Sequence, residues 1–413
     1  MDVITCIIVG AGGRGKEAYA PFIAKRKDMR IVGVAEPDEL KRNNFKELYQ
    51  ISDDMCFSDY RELFKRDRLA DCVLICTMDK MHLEPTLMAM EKKYHILLEK
   101  PIAATPEDVA ILDKAAKSYD RVFMTGFVLR YAKVFKTLKK YIEEGKIGKI
   151  ISIQHNENEG YWHHAHSYVR GQWNNTHVSP PLILAKSCHD LDLLLYLTGK
   201  DCINISSYGK GSYFSADNAP AGAPLRCHEG CPYENSCKYN AKALYTTGKG
   251  KYFIAKFECG DDEEKIREYL KTSPYGRCVY HCDNNMCDHQ VTSMEFEDGI
   301  TAVFTVCAFT LENSRTIKIM GTEGELGGSL EKEEILYSNF NTDKVEKIKL
   351  KDDGLRHGGG DKGIIDYLAE SIKSGNYKYD SFIGQSHMMA FAAEESRLTG
   401  KKIDINEFKC RYM

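Results

Sequence analysis

Over roughly the first 125 residues, short, almost unbroken apolar runs alternate with amphipathic stretches. The runs at 3–10 (VITCIIVG), 29–36 (MRIVGVAE), 70–77 (ADCVLICT), 94–100 (YHILLEK) and 121–127 (RVFMTGF) predict strands. Between them, 14–27, 38–50, 59–66, 82–93 and 106–119 carry helical spacing. Strands apolar on both faces need cover on both faces, so the alternation predicts a parallel sheet between two layers of helices.

After residue 127 the rhythm changes. A helical stretch at 132–144 ends on Gly145 and leads to a strand at about 149–156. An aromatic and histidine-rich segment, 157–180, follows, then a helix over 187–199 closed by Gly199. Residues 210–285 read as irregular and cysteine-bearing, with one short charged helix near 260–271. From about 289, the runs HQVTSMEFED, ITAVFTVCAF, RTIKIMGT and GELGGSL follow at hairpin spacing and predict an antiparallel sheet. Helical stretches at 361–374 and 384–398 complete the chain. The division expected is 1–127 and 128–413, the second part carrying a cysteine-bearing insert at about 210–288.

Length supports that division, because 413 residues exceed one ordinary core. A hydrophobic share of 43% with a formal net charge of −3 describes a globular chain and gives no polyanion footprint, so no nucleic-acid partner is expected. No apolar run approaches the ~18 residues of a membrane helix. The opening residues lack the basic region and cleavage site of a signal peptide, so a cytoplasmic location with no membrane partner is expected.

The first glycine cluster, GAGGRG, places Gly10, Gly12 and Gly15 in the spacing G-x-G-x-x-G directly after the first strand. The first glycine permits a tight turn, the second lets backbone approach a pyrophosphate, and the third lets helix and strand pack closely. The amides of the helix N-terminus then face the phosphates. Glu36 ends the second strand, where a carboxylate binds both ribose hydroxyls and repels a 2′-phosphate. A dinucleotide is therefore expected, NAD ahead of NADP, with Arg14 and Arg42 left as groups able to accept a phosphate.

The stretch LLEKPIA, 97–103, turns from apolar to charged at Glu99 and Lys100 and then places Pro101 behind the lysine. Proline keeps the preceding residue out of helical conformation, so Lys100 is expected extended at a strand end, pointing in a fixed direction. The fifteen cysteines are unevenly spread. Cys6, Cys72 and Cys76 sit in apolar runs as small core residues, whereas Cys227, Cys231 and Cys237 crowd a turn-rich segment, with Cys278 as a fourth candidate ligand. Structural zinc or an iron–sulfur cluster, free thiols and disulfides all remain open readings, the spacing being wider than the C-x2-C of zinc ribbons.

GAGGRG, His82 after the CT strand end, Glu99-Lys100-Pro101, SCHDLD at 187–192 and GTEGELGG at 321–328 occur in this order. Together they resemble the Gfo/Idh/MocA family of oxidoreductases over essentially the whole chain. The resemblance implies an α/β architecture: a Rossmann domain followed by an α/β domain with a large, open, mostly antiparallel sheet. It implies hydride transfer between nicotinamide and the secondary alcohol of a sugar, polyol or cyclitol, in a homo-oligomer joined through the C-terminal sheet as a dimer or tetramer. It also implies cofactor contacts by Thr77, His82, Glu99 and Lys100.

Oxidising CH–OH requires the hydroxyl to lose a proton as hydride leaves carbon. Lys100, its pKa lowered by the cationic nicotinamide and partial burial, is expected to accept that proton or to hold the alkoxide. Family members commonly carry D-x-G-x-H followed three residues later by aspartate. His189 and Asp192 match, but Ala185 and Ser187 replace the first aspartate and the glycine. His189, Asp190 and Lys186 are the further catalytic candidates, and Asp192, on the same helix face as His189, is expected to orient its ring. In EGYWHHAHSYVRGQWNN, 159–175, the groups Trp162, His163, His166, Arg170 and Trp173 suit a sugar, whose C–H face stacks on aromatic rings. A loop packed on the sheet or a subunit interface is the alternative. Arg130 is expected to line the same cleft. Two other functions stay open: redox-neutral use of NAD, with transient sugar oxidation before elimination of a glycoside, and a non-catalytic NAD-binding regulator.

Overall fold

The computed structural model describes residues 3–412 apart from 258, 261, 352 and 353. Six parallel strands form the first sheet: β1 Ile4–Val9, β2 Met29–Ala35, β3 Cys56–Phe57, β4 Cys72–Ile75, β5 His95–Leu98 and β6 Phe123–Thr125, in the order β3-β2-β1-β4-β5-β6. The two-residue β3 is too short to leave a period in the sequence. The others are shorter than their apolar runs because the chain leaves the ladder at Gly10, Glu36, Cys76 and Glu99. Connections run one way from β1 through β3 and the other way from β4 onward. This order opens a crevice at the carboxyl ends of β1 and β4, where α/β sheets bind ligands.

The second sheet has nine strands: β7 Ile150–Gly160, β8 Cys202–Lys210, β9 His289–Phe296, β10 Thr301–Thr310, β11 Ser314–Gly321, β12 Gly324–Ser329, β13 Glu334–Asn339, β14 Lys344–Lys349 and β15 Ile403–Asp404. Their order is β14-β13-β12-β11-β7-β10-β9-β8-β15, antiparallel except where β7 lies parallel to β10. The pattern reading finds β9 to β12 and ends β7 about four residues early. It misses β14, whose residues are almost all exposed and so carry no apolar alternation, and β8, whose serines, asparagine and glycine dilute it. On β9 alternate residues are buried, and the helices Cys188–Thr198 and Phe382–Thr399 pack on that inner side. Tyr208 and Val291, paired across β8 and β9, stand on the outer face and are exposed.

Two features tie the halves together. The helix Gly360–Ser374, late in the chain, buries Ile364, Ile365 and Leu368 in one core with Ile8 and Leu74 of the first sheet. The insert has no strand among its described residues, only the bridge Arg226–Arg277 and short helices including Ala241–Thr246 and Glu263–Thr272. Its aromatic cores take in Trp162, Ala165 and Val169 from the segment that follows β7. No helix among the described residues is long and apolar enough to cross a membrane.

Candidate functional site

The crevice at the end of β1 is shaped by glycine. Gly10 has φ +95°, and a Cβ there would stand 2.6 Å from the Cys76 carbonyl oxygen; at Gly15 it would stand 2.3 Å from the Gly10 oxygen. Gly12, by contrast, faces open space, with nothing within 4 Å of where its Cβ would lie. The turn is therefore pressed onto the sheet on one side and bare on the other, at the start of the helical turns Gly13–Tyr19. Glu36 is buried beside it, its carboxylate accepting the Ala11 N–H at 2.7 Å and the Asp38 N–H at 3.1 Å. These residues fit a dinucleotide: a cradle open over backbone amides, with a carboxylate at its edge.

Both candidate phosphate-binding arginines are engaged elsewhere. Arg42 donates to the Glu36 and Pro37 carbonyls. Arg14 Nε donates to Glu99 at 2.6 Å, and its Nη2 lies 2.8 Å from the Tyr19 hydroxyl and 3.0 Å from Asp361. Tyr19 also donates to Glu99. Although burial alone would raise the Glu99 carboxyl, Arg14 and Tyr19 hold it below its ordinary value. Glu99 and Arg14 thus brace the cleft floor, Glu99 accepting the Lys100 N–H at 3.0 Å.

Neighbouring residues complete that bracing. His82, fully buried, sets one ring nitrogen 2.6 Å from the Pro101 carbonyl oxygen and the other 3.1 Å from that of Thr77, joining the turns after β4 and β5. His387, unremarked in the sequence, accepts the Ile102 N–H at 2.9 Å through Nε2 and donates from Nδ1 to the Ile383 carbonyl at 2.7 Å. Burial lowers it to about 4, so the ring is neutral and that tautomer is defined. Held at 99, 101 and 102, the segment sends the Lys100 ammonium across to the C-terminal domain, where Nζ donates to the Ala185 carbonyl at 2.9 Å. The position that lacks the family's aspartate side chain thus receives the lysine on its backbone oxygen.

His189 lies in the first turn of the helix Cys188–Thr198, buried, with its ring edge-on to Phe127 and no partner on Nδ1 among the described residues. Burial, with the charges of Lys100 and Arg315, holds the ring well below 6.5, so it is neutral at neutral pH. The expectation that Asp192 orients it is corrected. Asp192 takes both branches of Arg130 at 2.7 and 2.5 Å, and Arg130 also reaches Asp380. A bidentate guanidinium outcompetes an imidazole for the carboxylate, so Arg130 ties down this helix instead of lining the cleft as an unpaired cation.

Asp190 also departs from expectation. It faces the sheet, accepting from His155 Nε2 at 2.7 Å and Arg315 Nε at 2.9 Å. Burial would raise it, but Arg315 and His155 hold it down to about 2. Lys186 stands 3.3 Å from Glu157 and 3.6 Å from Glu159. His155, Glu157 and Glu159 are alternate residues of β7, all pointing inward, and Glu159 also meets His164 at 2.9 Å. The alternation QHNENEG carries that signal, but ending the strand at 156 hid it. Three buried carboxylates (Glu157, Glu159, Asp190) thus face two fixed cations (Lys186, Arg315), and burial pushes Glu157 up to about 7 despite Arg315 and Lys186.

The aromatic segment divides. Trp162, His166 and Arg170 are spaced as one stripe of helical turns, and that stripe turns into the insert. His166 stacks 3.7 Å from Phe253 and hydrogen-bonds the Tyr245 hydroxyl; Trp162 packs beside Phe253; Arg170 donates to the Arg277 and Tyr239 carbonyls. These contacts place the three in the insert's core, away from the substrate position expected of them. Trp173 reaches the cofactor domain, its indole N–H 3.3 Å from Asp79 in the turn after β4, where the His177 carbonyl also accepts from Lys80 at 2.8 Å. The four candidate cysteines are free thiols, and among the described residues no three His, Cys, Asp or Glu groups are drawn together around a single metal ion.

A doubly covered parallel sheet with a glycine cradle at its switch point, joined to an open mixed sheet, defines a two-domain dinucleotide-binding oxidoreductase architecture. Residues 4–127 match the model for the oxidoreductase family's NAD-binding Rossmann fold, and residues 139–358 match that for its C-terminal alpha/beta domain. The chain belongs to the Gfo/Idh/MocA family. It is 23% identical to the YteT oxidoreductase of Bacillus subtilis over 385 residues, 86% of this chain and 87% of that one. It is 30% identical over 193 residues to the 2,7-anhydro-N-acetylneuraminate hydratase of Escherichia coli, and 27% over 204 to the myo-inositol 2-dehydrogenase of Thermotoga maritima. Those alignments span 47% and 49% of this chain, and 49% and 57% of the relatives. A levoglucosan dehydrogenase solved with NADH and levoglucosan shares the fold, with TM-score 0.73 at 17% identity over 98% of this chain and all of that one.

Two outcomes follow from this geometry. Glu36→Ala weakens NAD binding more than NADP binding, measured by titrating each nucleotide; equal losses would show that the carboxylate does not hold the ribose. Glu157 has a folded value of about 7 against an ordinary 4.5, so between those values the folded protein binds the proton more tightly than the unfolded chain. Its contribution is present at low pH and lost as pH rises through about 7. Urea denaturation therefore shows wild-type stability falling more steeply than that of Glu157→Gln between pH 4.5 and pH 7, and parallel slopes would remove the buried proton.

Proposed function

We propose that the protein is an NAD-dependent dehydrogenase moving a hydride between nicotinamide and a secondary alcohol of a sugar, polyol or cyclitol. The observation that carries this reading is the Lys100 ammonium, fixed at the carboxyl edge of the Rossmann sheet and directed at Ala185 beside a neutral His189. Bound NAD supplies the hydride acceptor. Gly12 and the backbone amides of the turn would receive its phosphates, with Gly10 and Gly15 pressing that turn onto the sheet, and Glu36 would bind the ribose hydroxyls; with Arg14 and Arg42 already engaged, NAD is preferred to NADP.

The substrate hydroxyl displaces Lys100 from the Ala185 carbonyl, and the ammonium then stabilises negative charge on that oxygen. The His189 ring, neutral and with Nδ1 unpartnered among the described residues, accepts the hydroxyl proton. Lys186 and Asp190 act as positioning residues through the carboxylate cluster behind them, and Trp173 closes the cleft over the turn at Asp79. Dehydrogenases of inositol and levoglucosan among the similar proteins support a polyhydroxylated substrate. A homo-oligomer formed through the bare outer face of the second sheet accords with the exposed Tyr208 and Val291.

A second reading is redox-neutral chemistry with the same groups. It is favoured by the likeness to proteins named as hydratases, whose name describes addition of water with no net redox change.

The test is Lys100→Ala, assayed on a panel of sugars, inositols and glycosides by both NADH absorbance and product analysis. Turnover falls by roughly 100-fold or more while NAD affinity stays within a few-fold. Near-wild-type turnover would overturn the mechanism, and substrate conversion without net NADH would select the redox-neutral reading.

A further inference from the structure

The helix Gly360–Ser374 is entered through a strained turn, Arg356–Gly359. In it His357, Gly358 and Gly359 take left-handed backbone in succession, with φ +53°, +56° and +82°. Glycine adopts that conformation freely, whereas a histidine is strained in it, and such strain persists only where the surroundings fix it. Here they do. A Cβ at Gly360 would stand 2.2 Å from the Val128 carbonyl oxygen, and one at Gly363 2.8 Å from the Tyr131 Cβ. The start of the helix is thus pressed onto the turn Val128–Tyr131, which follows Phe127, the residue whose ring meets His189 edge-on.

The imidazole itself is held by a carboxylate. Asp361 lies 2.9 Å from His357 Nδ1 and 3.0 Å from Arg14 Nη2. Burial would raise the Asp361 carboxyl, but His357 and Arg14 hold it below its ordinary value, so it stays an anion. Contacts therefore run Glu99–Arg14–Asp361–His357, from the residue before Lys100 to the strained histidine. His357 is also near enough to the reacting centre that its charge adds to burial, Lys100 and Arg315 in lowering the His189 ring. His82 and His387 spend both ring nitrogens on the backbone. His357 spends one. Its Nδ1–H goes to Asp361, and among the described residues Nε2 makes no hydrogen bond, on a side chain 39% exposed.

We propose that His357 is a substrate-binding residue, its Nε2 taking a second hydroxyl of the polyhydroxylated substrate whose reacting hydroxyl lies on Lys100 and His189. The inference rests on the dehydrogenase reading and adds to it a residue from late in the chain. Nε2 accepts from a hydroxyl when bare and donates to its oxygen when protonated, so either state makes a bond. Two points of attachment distinguish a polyol from a simple secondary alcohol, which fills only the point at Lys100. Asp361 is the positioning residue, fixing the ring so that Nε2 faces outward.

The full-length protein, saturated with NADH, is titrated calorimetrically with a panel of sugars, inositols and glycosides that includes myo-inositol and levoglucosan. His357→Asn keeps a residue tolerant of left-handed backbone and an amide within reach of Asp361, but has nothing where Nε2 stood. It is expected to bind the accepted compound about 10-fold more weakly, with NADH affinity unchanged within a few-fold. His357→Gln, whose longer amide reaches the Nε2 position, recovers most of that loss. Wild-type affinity in His357→Asn overturns the proposal and leaves the dehydrogenase reading standing, as does an equal loss in the Asn and Gln variants. Wild-type protein that binds NADH but no member of the panel overturns the polyol reading, and this subsite with it.

Discussion

The hydrogen bond from Lys100 Nζ to the Ala185 carbonyl ties the carboxyl edge of the first sheet to the helices that cover the second. A lysine side chain has four rotatable bonds, so its aim is worth little unless its backbone is fixed. Here Glu99 is gripped by Arg14 and Tyr19, Pro101 by His82, and Ile102 by His387. These partners come from the first helix of the chain, the turn after β4 and a helix near the C-terminus. Much of the molecule is thereby committed to holding four residues still, and preorganisation of that kind lets an ammonium stabilise charge without first rearranging.

A second constraint lies behind the cleft. β7 places Glu157 and Glu159 on its inner face, where burial without partners would be prohibitive. Lys186, Arg315 and His164 answer them, and Asp190 shares Arg315. Burial outweighs the pull of Arg315 and Lys186 on Glu157 and pushes its carboxyl up to about 7. Lys186 follows Ala185 in the chain, so the cluster also bears on the backbone that receives Lys100.

Much of this was legible in the sequence, unevenly and for physical reasons. The Rossmann half shows itself because parallel strands are apolar on both faces and the glycine turn has a strict spacing. Lys100 is marked by its proline. The partners of Asp192 and Asp190 are not legible, because helical spacing says which residues share a face but not what stands opposite, and Arg130 and Arg315 lie far away in the chain. Trp162, His166 and Arg170 look like sugar ligands by composition, yet their spacing also makes one stripe of a helical turn, and the insert covers that stripe. β14 escaped because a solvated edge strand needs no apolar face. His387 gave only a weak signal, a single histidine within the buried run SHMMAF.

Transfer of label measures the central claim most directly. A polyol or sugar accepted by the enzyme, deuterated at the carbon bearing the reacting hydroxyl, is turned over with NAD, and the nicotinamide is analysed by mass spectrometry. Deuterium on the nicotinamide ring is predicted, in net oxidation or in a cycle that returns it. Substrate conversion with the deuterium lost to water, and none on the ring at any stage of turnover, would contradict hydride transfer across this cleft.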